Sequence, residues 1–237
     1  MRVLVTGAAG YIGSHFVKTM AERGHSVWGT DYNWNQNDID KYCSRSFYWD
    51  IRSKGDSWTP RNFDKVVHIA ALTKVGPSMD DPWSYYQTNV QGTKNLLEWA
   101  NCDHFVYCST GAAFQPSASP YATTKFSGEV LAKHYSNKSS IVRFYNVSGN
   151  DGMYKFDDDR SHLIRRVAAV ANGVCNSMSI FGTDYDTRDG TCIRNYTHVK
   201  DIVDGLACIT ESEPSGEIDC LGSQKGCLLY TSPSPRD

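Results

Sequence analysis

Short apolar runs alternate with amphipathic stretches along the first 150 residues of the chain. The runs have the length and composition of buried strands, and the stretches between them carry apolar residues at helical spacing. Strands are predicted at Val3–Val5, Ser26–Gly29, Phe47–Trp49, Val66–Ile69, Phe105–Cys108 and Ile141–Tyr145. Helices are predicted at Ile12–Arg23, Trp83–Ala100 and Tyr121–Tyr135. Alternating strands and helices indicate βαβ units, so the predicted fold class is α/β with a doubly wound parallel sheet.

The pattern changes after residue 149, and this change sets the predicted domain organisation. Residues 150–160 are polar and include three consecutive aspartates, which indicates a solvated loop. No His or Glu stands at metal-ligand spacing beside them, so no metal site is predicted. A further helix is predicted at Leu163–Val170. We therefore expect one domain at 1–149, with residues 194–210 packing back on it, and a smaller, partial lobe at 150–226.

The sequence at 227–237, CLLYTSPSPRD, does not continue this pattern. These residues correspond codon by codon to a translated sequencing-library adapter, and the alternative is a disordered tail rich in proline and serine. We expect 227–237 to be a non-native tail, which would leave the lobe at 150–226 incomplete.

Charge and composition argue against several classes of protein. The 237 residues contain 24 Lys and Arg against 26 Asp and Glu, a net charge of −2, so no electrostatic footprint for nucleic acid or anionic membranes is present. No run approaches the ~18 apolar residues that a membrane span needs. The sequence opens without an export leader, and its eight cysteines contain no C-x-x-C pair. We therefore expect a cytoplasmic protein with reduced thiols.

A glycine-rich turn follows the first predicted strand. The sequence TGAAGYIG at residues 6–13 has the spacing G-x-x-G-x-x-G and leads directly into a helix. Such a turn directs backbone N–H groups and the positive end of a helix dipole at a pyrophosphate. Gly7 would make the tight turn, Gly10 would allow close approach of the backbone, and Gly13 would let helix and strand pack.

Two aspartates stand where the next two strands end. Asp31 can accept hydrogen bonds from the adenosine ribose hydroxyls and would repel a 2′-phosphate, so NAD is predicted rather than NADP. The alternative for Asp31 is a helix-capping or loop residue. Asp50 is a candidate for the adenine amino group, although its position alone supports a loop residue equally well.

A tyrosine and a lysine four residues apart begin the last predicted helix of the domain. Tyr121 and Lys125 would lie on one helix face, and the lysine charge is expected to lower the tyrosine pKa toward working pH. That would suit Tyr121 to act as a general base. Thr110 ends the preceding strand and could relay a proton or orient a sugar hydroxyl; the alternatives are a surface Tyr–Lys pair and a turn threonine.

Together these motifs resemble the extended short-chain dehydrogenase/reductase family, and within it the UDP-glucose 4-epimerases. The resemblance covers residues 1 to about 226. The segment from Ile180 to Val199 best distinguishes the epimerases from other members of the wider family. The other segments that match are VHIAA at 67–71, TNVQGT at 88–93, VRFYN at 142–146 and HLI at 162–164.

The resemblance implies a function and a set of site residues. It implies NAD-dependent epimerisation at C4 of a nucleotide sugar, with UDP-glucose and UDP-galactose as substrates and a transient 4-keto intermediate; a homodimer is a candidate assembly. Tyr121, Lys125 and Thr110 would be catalytic. The cofactor would be bound by Gly7, Gly10, Tyr11, Ile12, Gly13, Asp31, Asp50, Ile51, Ala70, Ala71, Asn89, Tyr121, Lys125 and Tyr145. The substrate would be bound by Asn146, Leu163, Phe181, Arg194 and Tyr196.

The sequence departs from the family pattern at three positions. The loop from Thr110 to Tyr121 is shorter than usual, Thr73 stands where many epimerases have a lysine, and Asn195 replaces an aspartate beside Arg194. The short loop borders the expected sugar site, so it bears on substrate specificity.

Two alternatives remain open from the sequence. Another nucleotide-sugar epimerase or a dehydratase of the same family would share the fold, but a dehydratase usually has an acidic pair where Gly111 and Ala112 stand here. A non-catalytic NAD-binding sensor would not need Thr110, Tyr121 and Lys125 together.

Overall fold

A seven-stranded parallel sheet forms the centre of the computed structural model, which describes residues 1–34, 39–55, 60–135, 138–154, 162–180, 182–223 and 226–228. The strands are β1 (Arg2–Thr6), β2 (Ser26–Asp31), β3 (Arg45–Tyr48), β4 (Asn62–His68), β5 (Asn101–Thr110), β6 (Ser139–Phe144), β7 (Asn146–Ser148), β8 (Tyr196–His198) and β9 (Ile218–Leu221). The order is β3-β2-β1-β4-β5-β6-β9, and each neighbouring pair is parallel. The predicted doubly wound α/β fold is confirmed.

Helices cover the sheet, and most lie where the sequence predicted them. They are α1 (Tyr11–Glu22), α2 (Val75–Asp80), α3 (Pro82–Tyr86), α4 (Gly92–Trp99), α5 (Pro120–Tyr135), α6 (Leu163–Ala171) and α7 (Val199–Glu211). The predicted helix at 83–100 is interrupted, because the five residues Gln87–Gln91 between α3 and α4 form a π-helical segment. Single π turns inside longer helices occur often at functional sites.

The core is divided between the two faces of the sheet. Val3 and Val5 of β1 belong to one apolar cluster, which includes side chains of α1 and α7, whereas Leu4 belongs to a second cluster with side chains of α4. Alternate residues of a strand point to opposite faces, so this division follows from the apolar run at 3–5. A continuous apolar run is typical of a parallel strand that is buried on both faces.

The strand order reverses at β1, which lies between β2 and β4. In open α/β sheets, ligands bind in the crevice outside the carboxyl ends of the strands at such a reversal. The turn after β1 and the carboxyl ends of β2, β4 and β5 therefore border the expected site.

The second part of the chain adds one strand to the main sheet and another to a small two-stranded sheet with β7. β7 and β8 pair in parallel, with Asn146 opposite Tyr196, and β9 is the seventh strand of the main sheet. β9 falls within residues 150–226, the range expected to form a separate lobe. The domain boundaries themselves stay a prediction. Cys227 forms an antiparallel bridge with Arg194, and residues 229–237 of the expected tail lie outside the described ranges.

None of the helices in the described parts of the chain has the length and apolar character of a membrane-spanning segment.

Candidate functional site

The glycine-rich turn after β1 leaves no room for a side chain at two of its glycines, Gly7 and Gly13. Gly7 has a φ of 69°, and a Cβ there would lie 2.7 Å from the backbone nitrogen of Ala70. A Cβ on Gly13 would overlap the carbonyl oxygen of Gly7. The turn is closed by a hydrogen bond from the Gly10 N–H to the Gly7 carbonyl at 3.1 Å, and α1 begins at Tyr11. This geometry fits a pyrophosphate held by backbone N–H groups at the start of a helix.

Asp31 ends β2 directly beside this turn. Its carboxylate accepts hydrogen bonds from the Ala9 N–H at 3.0 Å and from the Asn33 N–H at 3.1 Å. Burial raises the pKa of Asp31, while these backbone donors act in the opposite direction. A carboxylate can accept about four hydrogen bonds, so Asp31 retains capacity for a ribose hydroxyl.

Asp50 has a partner of its own. Its Oδ1 accepts a hydrogen bond from Arg52 Nε at 3.0 Å and its Oδ2 accepts one from Arg52 Nη2 at 2.6 Å, which lowers the pKa of Asp50. Ile51 is buried, and its carbonyl accepts a hydrogen bond from the Asn95 side chain at 2.9 Å. The Ala70 N–H, at the other side of the turn, donates to the Thr6 hydroxyl at 3.3 Å, and Ala71 is half-buried next to it.

Asn89 lies inside the π segment and connects two sides of the crevice. Its side chain accepts from the Leu72 N–H at 2.9 Å and donates to the Leu72 carbonyl at 3.0 Å. It also donates to the Thr124 hydroxyl on α5 at 3.1 Å. The buried amide therefore fixes α5 relative to the chain that follows β4.

The candidate base, Tyr121, is buried, and its pKa does not behave as expected. The side chain is 8% exposed, and burial raises its pKa. The hydrogen bond with the Thr110 hydroxyl lowers the pKa in part, and the nearby Tyr85 raises it. The expectation that Lys125 would lower the Tyr121 pKa is wrong for this structure.

Lys125 explains that outcome. Its ammonium donates to the Cys108 carbonyl at 2.6 Å and lies 4.4 Å from the centre of the Tyr107 ring. The side chain is therefore directed toward β5 instead of the Tyr121 phenol. Burial lowers the pKa of Lys125 to about 8.

The predicted substrate residues lie on and around the small sheet. The Asn146 side chain donates to the Asn195 carbonyl at 3.0 Å, and Tyr196 stands opposite Asn146 and is half-buried. Arg194 is exposed, and its guanidinium donates to the Ile193 carbonyl at 3.0 Å. Leu163 begins α6 and Tyr145 follows β6, whereas Phe181 lies outside the described residues.

Polar residues that the sequence analysis did not assign complete the surroundings. His68, at the end of β4, lies 2.7 Å from the Thr6 hydroxyl through Nδ1 and 2.9 Å from the Thr93 hydroxyl through Nε2. Because the Thr93 hydroxyl donates to the Asn89 carbonyl, it accepts from Nε2–H, which assigns the histidine tautomer. Burial and the charge of Lys125 lower the pKa of His68 to about 3. A buried ion pair of Glu129 and Arg143 lies on the other side of β5.

In the described ranges, no group of three or more His, Cys, Asp or Glu side chains is arranged to hold a metal ion.

Comparison with known proteins supports what this geometry indicates. Residues 3–220 match the model of the NAD dependent epimerase/dehydratase family. The UDP-glucose 4-epimerase of Rhizobium meliloti is 33% identical, and the match covers 85% of this chain and 70% of that protein. The UDP-glucose 4-epimerase of Halalkalibacterium halodurans is 35% identical, and the match covers 95% of this chain and 76% of that protein.

A solved structure agrees in fold. The UDP-glucose 4-epimerase from Brucella ovis in complex with NAD superimposes with a TM-score of 0.82 at 28% identity, covering 97% of this chain and 80% of that one. The predictions of an isomerase resembling the UDP-glucose 4-epimerases and of NAD as its cofactor are confirmed. The chain belongs to the NAD-dependent epimerase/dehydratase family.

Proposed function

We propose that this protein epimerises a nucleotide sugar at C4, with UDP-glucose and UDP-galactose as its substrates. The observation that carries the proposal is the burial of Tyr121 close to Thr110, in the crevice that also contains the glycine-rich turn. The curated relatives that match the chain over most of its length are UDP-glucose 4-epimerases, which supports the same reaction.

Tyr121 takes the proton from the sugar 4-hydroxyl in this mechanism. A hydrogen bond donated by the nearby Thr110 hydroxyl would stabilise the phenolate and hold the ring toward the sugar. Removal of the 4-hydroxyl proton and of hydride at C4 gives a 4-keto sugar. When that sugar has turned over in the site, hydride returns to its other face and Tyr121 gives the proton back.

NAD supplies the redox chemistry, since its nicotinamide ring accepts a hydride and can return it. The turn of Gly7, Gly10 and Gly13 would hold the pyrophosphate, and Asp31 the adenosine ribose. A burial-lowered pKa of about 8 leaves Lys125 largely charged near neutral pH, so it contributes a positive charge to the crevice.

The remaining substrate contacts are part of the proposal. Arg194 would pair with the diphosphate because its guanidinium is exposed and always charged. Asn146 and Tyr196 face each other on the two strands of the small sheet, so they would approach the same part of the nucleotide sugar. The roles of Leu163 and Phe181, the homodimer and the cytoplasmic location stay predictions.

The test is to incubate the purified protein and NAD with UDP-galactose and follow the sugar signals by NMR. UDP-N-acetylglucosamine and UDP-xylose are assayed in parallel, because the short loop after Thr110 borders the sugar site. We expect conversion of UDP-galactose to UDP-glucose. A 4-keto-6-deoxy product would identify a dehydratase, and tight NAD binding without conversion of any of the three sugars would favour the sensor alternative.

A further inference from the structure

A buried cluster of three side chains joins α5 to two neighbouring strands. One carboxylate oxygen of Glu129 on α5 accepts hydrogen bonds from the Ser109 hydroxyl on β5 at 2.5 Å and from Arg143 Nε on β6 at 2.8 Å. The other oxygen accepts from Arg143 Nη2 at 2.7 Å. Glu129 is 2% exposed, Ser109 is 4% exposed and Arg143 is 5% exposed.

Stability alone does not account for a buried ion pair of this kind. Removing two charges from water costs several kcal/mol per ion, so a buried pair often adds little over apolar side chains of the same volume. What the pair does provide is geometry, because a bidentate guanidinium–carboxylate contact fixes both groups in plane and direction.

The position of Glu129 links this geometry to the proposed base. Residues 121, 125 and 129 are spaced by four along α5, so they lie on one face of the helix. Ser109 is the residue directly before Thr110, at the end of β5. The helix face that carries Tyr121 therefore also carries Glu129, two turns further along α5. Glu129 is hydrogen-bonded to Ser109, the neighbour of Thr110.

Arg143 extends the contact to the short loop after β5. Its guanidinium lies 4.3 Å from the centre of the Phe114 ring, and Phe114 is an exposed residue of that loop. The Glu129–Arg143 pair therefore touches α5, the ends of β5 and β6, and the loop that joins β5 to α5.

We propose that Glu129 is a positioning residue: held by Arg143 and bonded to Ser109, it fixes α5 on the end of β5 so that the Tyr121 phenol meets the Thr110 hydroxyl. The inference rests on the proposed function for its catalytic consequence only. The contact between Tyr121 and Thr110 can be measured without turnover.

The decisive variant is Ser109→Ala, which removes the bond to Glu129 but leaves the ion pair with Arg143 intact. Ser109→Thr is the conservative variant, because it keeps the hydroxyl. Glu98→Gln serves as the control, since Glu98 forms an exposed ion pair with Lys94 on α4. For all variants, kcat, KM, NAD affinity and the pH profile of kcat/KM are measured.

We expect Ser109→Ala to lower kcat about tenfold, with KM and NAD affinity changing less than about twofold, because misplacing a reacting group costs rate more than binding. Losing the Thr110 hydrogen bond would raise the Tyr121 pKa, so the rising limb of the profile would move to higher pH. Lys125 and Glu129 on the same helix face, Tyr85 on α3 and Tyr107 on β5 are the titratable groups around Tyr121, and Ser109→Ala replaces none of them. Ser109→Thr should recover most of the rate.

A second measurement separates this inference from the proposed function. In protein labelled with ¹³Cζ-tyrosine, the Tyr121 signal is assigned with Tyr121→Phe, and Thr110→Val gives the reference shift for a lost hydrogen bond. Ser109→Ala should move the Tyr121 signal in the direction of Thr110→Val, whereas Glu98→Gln should not. If the parent protein epimerises nothing while this shift appears, the proposed function is wrong and the positioning role stands. An unmoved signal in Ser109→Ala would overturn the positioning role, whatever the activity.

Discussion

Two lysine–histidine pairs are buried at the sheet: one joins β4 and β5 nearer their amino ends, and the other joins α5 to the carboxyl end of β4. In the first pair, Lys65 donates to the Ser212 carbonyl at 3.1 Å and lies 3.4 Å from Nδ1 of His104. In the second pair, Lys125 donates to the Cys108 carbonyl at 2.6 Å, and its charge acts on His68.

The histidines of the two pairs are alike, and the lysines differ. Burial and a nearby lysine lower the pKa of His68 to about 3 and that of His104 to about 4, so both imidazoles are neutral at working pH. Lys65 ties β4 to the residue that follows α7. Lys125 makes one hydrogen bond to the residues that the structure describes, and it lies at the crevice where the strand order reverses. The burial of a lysine beside a histidine therefore does not by itself indicate a functional site. Its position at the carboxyl ends of the strands, together with ammonium protons that make no hydrogen bond within the described residues, does.

The largest effect is expected at the carboxyl ends, for Tyr121→Phe. Removing the proposed base should lower kcat more than 100-fold, because a general base contributes about 10²–10⁴-fold, while NAD stays bound. Tyr86→Phe is the matched control, since Tyr86 is an exposed tyrosine at the end of α3. Epimerisation of UDP-galactose measures both variants; a parent-like rate in Tyr121→Phe would mean that the base is another group.

The charge of Lys125 is expected to reduce stability below pH 8. Its pKa falls from 10.5 to about 8 on folding, so the unfolded chain binds more protons between these values, and stability rises with pH across this window. The shift corresponds to about 3 kcal/mol. Lys125→Met lacks this dependence, so its advantage in unfolding free energy over the parent should shrink between pH 7 and pH 10.

Urea unfolding at several pH values measures this advantage. Lys65→Met supplies the comparison nearer the amino ends, where the lost hydrogen bonds to Ser212 and His104 should lower stability. An advantage of Lys125→Met that is independent of pH would contradict the burial of a charged ammonium there.

Replacing His68 and His104 by asparagine, one at a time, should show which of the two histidines contributes to the functional site and which only to the stability of the fold. Each substitution removes hydrogen bonds between the imidazole and buried hydroxyls and should cost about 1–3 kcal/mol of stability. Only His68→Asn should also lower kcat/KM, by about tenfold, because His68 connects Thr6 beside the glycine-rich turn to Thr93 and Asn89. Equal kinetics in His68→Asn and His104→Asn at a temperature where both are folded would remove the distinction between the two pairs.

The smallest expected effect concerns the choice between NAD and NADP. Asp31 should oppose a 2′-phosphate, so the parent should bind NAD at least about fivefold more tightly, and Asp31→Asn should narrow that preference. Asp64, which accepts from the Arg2 N–H at 2.7 Å nearer the amino ends, gives the matched control Asp64→Asn. Fluorescence titration with NAD and with NADP measures the two affinities, and equal affinities in the parent would refute the role of Asp31.

Strands β1 to β6 and the glycine-rich turn could be predicted because each depends on local sequence. Apolar runs define strands buried on both faces, and Y-x-x-x-K places two side chains on one helix face. The direction of the Lys125 side chain could not be predicted, since it depends on the Cys108 carbonyl of a neighbouring strand. The same holds for His68, whose partners come from β1 and α4, and for β9, whose short run joins the sheet only through β6. Glu129 is an intermediate case. Its spacing of four from Lys125 can be read from the sequence, whereas its hydrogen bonds to Ser109 and Arg143 cannot.

The π segment at Gln87–Gln91 makes this part of the chain sensitive to insertions and deletions. A π turn has one residue more than the α turn it replaces, so deleting a residue there would let α3 and α4 continue as one regular helix. The residues on one side of the deletion would then rotate by about 100° relative to those on the other side. Asn89 could not keep its contacts with both Leu72 and Thr124 after such a rotation. Homologues of this protein should therefore vary in length in the loops on either side of this helix, and keep the number of residues within it.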